Sequence, residues 1–190
     1  MKRVFIIHCW QGTPEDFWYP WLKVQLEANG FEVNVPEMPY TDNPKIGPWV
    51  ETLKNLVGTV DENTYFVGHS IGCQTIMRYL EILSEETKIG GAVFVAGWFN
   101  LPNLGTQEEK DIVEPWLTTP INTEKLKQIL DKKLSVILSD NDPHVPLGDG
   151  ELFKERLGAR VVIEHDMGHY DEDKITELPS VLEELLNMSR

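Results

Sequence analysis

Three clusters carry side chains whose types and spacing could do acyl-transfer chemistry. The first is Gly68-His69-Ser70-Ile71-Gly72, a serine between two glycines. The second is "SDNDPHVP" (Ser139 to Pro146), which supplies two acids, Asp140 and Asp142. The third is "EHDMGHY" (Glu164 to Tyr170), which supplies two histidines, His165 and His169. Serine is a weak nucleophile until a base takes its proton, so Ser70 needs partners of these kinds. A glycine-flanked serine arises by chance in roughly 6% of chains this long, so the five letters alone decide little. Their context adds more. Thr64 to Val67 is a short apolar run that reads as a buried strand. After Ser70, Ile76, Met77, Leu80 and Leu83 recur at helical spacing. Strand, tight glycine turn and helix make a nucleophile elbow, in which glycines admit close packing and the helix start favours developing negative charge. The alternative is a structural turn serine.

The other two clusters each follow a predicted strand, where functional groups of a doubly wound sheet gather. The order Ser, Asp, His along the chain is that of α/β-hydrolases and not of chymotrypsin-like or subtilisin-like proteases. Between the acids, Asp142 is preferred because Pro143 holds it extended, whereas Asp140 suits a turn. Between the histidines, His169 is preferred because it follows Gly168 in a loop long enough to reach the elbow. His165 abuts the strand end and reads as a packing residue. His8, His69 and His144 read as packed or solvated, with His8 at the end of the first strand beside the site. An oxyanion hole needs two backbone N–H groups. The residue after the nucleophile, Ile71, supplies one, and Trp10 in the loop "IHCWQG" (Ile7 to Gly12) is the candidate for the other.

Around these clusters the chain alternates strand-like and helix-like segments. Strands are expected at Arg3–Ile7, Phe31–Pro36, Thr64–Val67, Gly90–Gly97, Leu134–Ser139 and Arg160–Glu164. Helices are expected at Trp18–Asn29, around Trp49–Val57, at Ile71–Leu83, Thr123–Leu130, Glu151–Leu157 and Ile175–Met188. Asp16 and Thr123 are the expected caps of the first and fourth helices. Residues Trp98–Pro120, rich in Pro, Gly, Asn and Thr, read as a long loop or small cap with at most one short helix. About six strands with helices between them argue for one α/β domain over residues 1–190, built on a mostly parallel sheet covered on both faces.

Composition narrows the partners. The chain has 190 residues, 41% hydrophobic and 25% charged, with a formal net charge of −14. That charge disfavours nucleic acid and anionic membranes as partners. No G-x-G-x-x-G or Walker loop is present. The two cysteines, Cys9 and Cys73, form neither a zinc pattern nor a disulfide framework. The N-terminal apolar run is four residues, too short for a signal peptide, and no stretch approaches a membrane span. A cytoplasmic location and a small-molecule ester or amide substrate are the expectations, with no metal or cofactor required.

The chain also resembles the small, nearly lid-less α/β-hydrolases of the retinoblastoma-binding protein 9 type. The matching stretches are "IIHCWQG", "WYPWLK", "PEMP", "FVGHSIG", "MRYLE", "DNDPHVP" and "MGH", in that order over nearly the full length. The resemblance implies a serine hydrolase with Ser70 as nucleophile, Asp142 as orienting acid and His169 as base. One departure is Cys9, where related hydrolases often carry glycine in the oxyanion loop. The protein partner for which that family is named is not carried over, because neither cysteine has the required motif around it. Two rival functions share these residues: a non-catalytic binding module on the same fold, and an acyltransferase using the same acyl-enzyme. Few residues are left to build a lid, and Trp10, Trp98 and Trp116 lie in segments expected at the carboxyl edge of the sheet. Short-chain neutral esters are therefore the expected substrates.

Overall fold

A computed structural model describes all 190 residues. Six parallel strands form one sheet: β1 (Arg3–Ile7), β2 (Glu32–Asn34), β3 (Thr64–His69), β4 (Gly91–Val95), β5 (Leu134–Ser139) and β6 (Arg160–Glu164). Their spatial order is β2-β1-β3-β4-β5-β6. The chain goes outward from β1 to β2, then returns to lay β3 on the other side of β1. That reversal puts a crevice between the carboxyl ends of β1 and β3, the usual ligand position in such sheets.

Six of the seven helices cover the sheet. On one face lie α1 (Tyr19–Ala28) and α7 (Pro179–Met188), in contact with each other. On the other lie α2 (Ile46–Val57), α3 (Ile71–Glu81), α5 (Thr123–Leu130) and α6 (Gly148–Leu157), each touching the next. Because both faces are covered, β3, β4 and β5 are buried at every residue, which explains their unbroken apolar runs. The edge strand β6 has no buried residue, each position being exposed or half-buried. One core of 48 buried residues runs through both layers.

The strand and helix expectations hold, with shifted ends. β2 is only three residues long, and α7 begins at Pro179 rather than Ile175, where proline suits a first helical turn. Both expected caps are displaced. The Asp16 carboxylate accepts from the Thr13 N–H and does not cap α1, whose N-cap is Trp18. Asn122, not Thr123, caps α5, its side chain accepting from the Lys125 N–H.

The larger correction falls on Trp98–Pro120. Residues Gln107–Thr118 form α4, a helix of 12 residues. Its start signal was in the sequence as Thr106-Gln107-Glu108-Glu109, a capping box. The Thr106 hydroxyl accepts from the Glu109 N–H at 3.1 Å, and the Glu109 carboxylate accepts from the Thr106 N–H at 2.8 Å. Pro115 inside the last turn disguises the pattern. The helix end is held from below: the buried Arg78 of α3 donates to the Trp116 and Thr119 carbonyls at 2.7 and 3.0 Å.

The tightest packing is at the β3–α3 turn. A Cβ on Gly72 would sit against the Ile7 carbonyl oxygen, and one on Gly68 would lie 2.7 Å from the Cys73 nitrogen. Nothing lies within 4 Å of the same atom built on Gly148 in α6, its chain neighbours aside. Gly72→Ala should therefore destabilise the fold by about 3 kcal/mol, through overpacking against backbone that cannot yield. Gly148→Ala, at an exposed position at the start of α6, should change stability by less than about 0.5 kcal/mol. Urea denaturation of both variants checks the pair, and equal effects would mean that the close approach at Gly72 is not real.

Candidate active site

Ser70 sits between β3 and α3 with φ 54° and ψ −114°, a conformation that side chains rarely adopt. The turn is held by the Ser70 N–H donating to the Val95 carbonyl at 2.9 Å. The hydroxyl therefore projects out of the sheet edge. Its Oγ–H lies 2.8 Å from His169 Nε2 and can donate to it. On the far side of the ring, His169 Nδ1–H donates to Asp142 Oδ2 at 2.8 Å. The three side chains are largely buried, with Ser70 only 8% and His169 9% exposed. Serine, imidazole and carboxylate thus lie in one line, an arrangement in which a hydroxyl meets one ring nitrogen and a carboxylate the other.

Asp142 is anchored as well as paired. Its Oδ1 accepts from the His144 and Val145 N–H groups at 2.8 and 2.9 Å. Burial pushes its pKa up, but the hydrogen bond and charge of His169 and these two backbone donors outweigh it, so the carboxyl stays below its ordinary value. Asp140 points elsewhere. Its Oδ2 pairs with His165 Nδ1 at 2.6 Å on the surface, and its Oδ1 accepts from the Asp166 N–H. His165 is therefore an exposed ion-pair partner and not the packed residue expected from its place after β6.

Several contributors lay outside the sequence reading. Ser139 Oγ accepts from the Met167 N–H at 3.0 Å, and Asn141 Oδ1 accepts from the Gly168 N–H at 2.7 Å. With Asp140 and Asp142, residues 139–142 thus engage residues 165–169 one after another. His144 packs edge-on against His169, with ring centres 5.2 Å apart. No sequence signal marks Ser139 or Asn141, because small polar residues after a strand are ordinary loop composition.

The loop after β1 lines the same cavity as His169. His8 donates from Nδ1 to the Cys9 carbonyl at 2.8 Å and accepts at Nε2 from the Met38 N–H. The Gln11 N–H donates to Thr41 and the Gly12 N–H to Cys9, while the Trp10 N–H makes no hydrogen bond within the protein. Cys9 is 5% exposed, and burial raises its thiol to about 12, so it stands as a neutral packing group. Gly68, Gly72 and Gly12 all pack closely here, which explains why the "IHCWQG" and "GHSIG" stretches are glycine-marked.

A cavity of about 180 Å³ opens at Ser70 and His169. Trp10, Leu101 and Leu104 form its apolar wall, and Glu109, His144 and Asp171 its polar rim. Of the three tryptophans expected near this edge, only Trp10 lines it; Trp98 and Trp116 are core residues. A larger cleft of about 630 Å³ lies between residues 43–46 and α4. It contains no paired nucleophile and base, so size does not mark the site. No group of His, Cys, Asp and Glu forms a metal-binding cluster, and no helix is long and apolar enough to cross a membrane.

A parallel sheet in this strand order, with a strained serine on the β3–α3 turn, defines an α/β-hydrolase. The profile of the serine hydrolase family matches residues 4–187, and the chain belongs to that family. It is 32% identical over 186 residues to the YdeN protein of Bacillus subtilis, covering 97% of this chain and 94% of the relative. It is 25% identical over 170 residues to the serine hydrolase RBBP9 of Rattus norvegicus, covering 89% and 86%. The crystal structure of the YdeN protein superposes with a TM-score of 0.89 at 30% identity, over 99% of this chain and 98% of that one. Est1E from Butyrivibrio proteoclasticus shares the fold at 16% identity, with a TM-score of 0.73 over 98% and 88%. The resemblance to the retinoblastoma-binding protein 9 type is thus borne out.

The depressed pKa of Asp142 has a consequence for acid stability. A carboxyl held below its unfolded value near 3.9 stabilises the fold above that pH, and the contribution is lost as pH falls through the folded pKa. Asp142→Asn should therefore flatten the loss of stability between pH 5 and pH 3 relative to wild type. Urea midpoints across that range provide the check; parallel curves would show that Asp142 gains nothing from its partners.

Proposed function

We propose that the protein cleaves small esters, thioesters or amides through an acyl-enzyme on Ser70. The observation that carries this reading is the 2.8 Å contact between Ser70 Oγ and His169 Nε2, on a serine held at positive φ. His169 accepts the Ser70 proton as Oγ attacks the acyl carbon. Asp142 holds the imidazole with its Nε2 unprotonated and stabilises the imidazolium that forms. The tetrahedral oxyanion rests on the N–H groups of Ile71 and Trp10. The unpartnered N–H of Trp10 supports that assignment, and so does the start of α3 at Ile71, where the helix dipole favours negative charge. His169 then passes the proton to the leaving group, and water releases the acyl group by the same steps in reverse. No step calls for a cofactor.

The cavity supports a short acyl group. Its volume of about 180 Å³ falls below the ~300 Å³ typical of sites for drug-sized ligands. Glu109 and Asp171 on its rim repel anions, as does the net charge of −14. The protein therefore belongs, in this reading, among carboxylesterase-like enzymes acting on short neutral acyl groups.

A fluorophosphonate should add once, on the peptide carrying Gly68 to Gly72, and Ser70→Ala should abolish the label while leaving a cooperative fold. His169→Ala should slow acylation by several orders of magnitude, and Asp142→Asn should lower kcat about 10⁴-fold. Asp140→Asn should leave kcat nearly unchanged. Labelling at another serine would overturn the assignment. Across p-nitrophenyl esters, kcat/KM should be highest for short neutral chains. A steady climb toward long chains would reveal an acyl tunnel and refute the short-acyl reading.

A further inference from the structure

One buried line of hydrogen bonds joins the loop after β1 to the loop after β6, passing behind Ser70. The Cys9 N–H donates to the Tyr19 hydroxyl oxygen at 3.2 Å. The Tyr19 hydroxyl donates to His69 Nδ1 at 2.5 Å. His69 Nε2–H donates to the His169 carbonyl at 2.7 Å. Both middle residues are completely buried. The polarity of the line is fixed by chemistry. A carbonyl only accepts, so His69 carries its proton on Nε2, and Nδ1 must accept from the tyrosine. The tyrosine oxygen then accepts from Cys9. Burial, and next the neighbouring His169, lower the His69 pKa to about 3, which keeps this neutral tautomer in place.

A phenylalanine and a leucine would fill the same volume without the cost of burying a hydroxyl and an imidazole. What the polar pair adds lies at the two ends of the line. Cys9 immediately precedes Trp10, whose N–H is unpartnered. His169 is the residue whose ring meets Ser70. We propose that Tyr19 and His69 are positioning residues that hold the oxyanion loop and the base loop at a set separation across Ser70. This inference rests on the roles given above to Ser70, Trp10 and His169. Neither Tyr19 nor His69 touches substrate; Tyr19 acts through the backbone of Cys9, the neighbour of Trp10, and His69 through the backbone of His169. Drift of either loop misplaces groups that matter most as charge develops, so the loss falls on kcat more than on KM.

Tyr19→Phe keeps the ring and removes the hydroxyl. It should lower kcat for a short p-nitrophenyl ester, and the rate of fluorophosphonate labelling, roughly 10- to 100-fold. KM should stay within about twofold and unfolding should stay cooperative. At His69, a glutamine amide reaches the place of Nε2 and can still donate to the His169 carbonyl, whereas leucine cannot. His69→Gln should therefore retain several-fold more activity than His69→Leu, and this pair carries the test if Tyr19→Phe does not fold. Wild-type kcat in Tyr19→Phe would overturn the proposal, as would equal activities of the two His69 variants. Failure of the underlying reading looks different: wild-type protein would then carry no label on Ser70, and the positioning proposal would fall with it. If wild type labels on Ser70 and Tyr19→Phe labels as fast, only the positioning role fails.

Discussion

The close approach of the β3–α3 turn to the end of β1 is the constraint on which the site depends. Gly72 lies against the Ile7 carbonyl with no room for a Cβ. The first turn of α3 is thereby pressed onto the very residue from which the β1 loop departs. Ser70, Ile71 and Trp10 are brought together by that contact, although some 60 residues separate them in the chain. The strained φ of Ser70 is the other face of the same geometry, since only a sharp turn lets the helix come so near. Strain of this kind persists because the sheet and α3, both fully buried here, over-determine it.

A second constraint governs His169. β5 and β6 are neighbours in parallel register, so the loops that leave their ends run side by side. Ser139, Asp140, Asn141 and Asp142 then meet Met167, His165 with Asp166, Gly168 and His169. Most of these bonds go to backbone N–H groups, which leaves the loop little freedom to slide. The Asp142–His169 pair is the innermost member of this lacing and the one shielded from water. Its outermost relative, Asp140–His165, has the same chemistry but lies exposed, where solvent screens it. Burial, not residue type, separates the two pairs.

The segment between β4 and α5 gives the open edge its wall. α4 and the turn before it place Leu101, Leu104 and Glu109 beside Ser70, opposite Trp10. Glu109 also serves as the N3 member of the capping box, its carboxylate tied to the Gly105 and Thr106 N–H groups. One side chain thus fixes the helix start and contributes charge to the rim. Arg78, buried beneath the helix end, links this wall to the elbow helix itself.

Much of this was legible in one dimension. Periodicity located all six strands and six of the seven helices, because a strand buried on both faces must be apolar throughout and a covered helix must show its stripe. The elbow was legible from its glycines, and Asp142 and His169 from a proline and a glycine that shape their loops. The segment of α4 reads only as a loop or small cap with at most one short helix, because Pro115 and a mixed composition mask its capping box. Other features had no sequence signal at all. Nothing in the letters distinguishes Ser139 and Asn141 from loop filler, or Tyr19 and His69 from core residues. The pairing of His165 with Asp140 was likewise invisible, as was the choice of Trp10 over Trp98 and Trp116 as a cavity wall. These follow from which strands lie side by side and which atoms lose water. Local sequence sets propensity and pattern, but hydrogen-bond partners between distant loops and the burial of a given atom exist only once the sheet has closed around them.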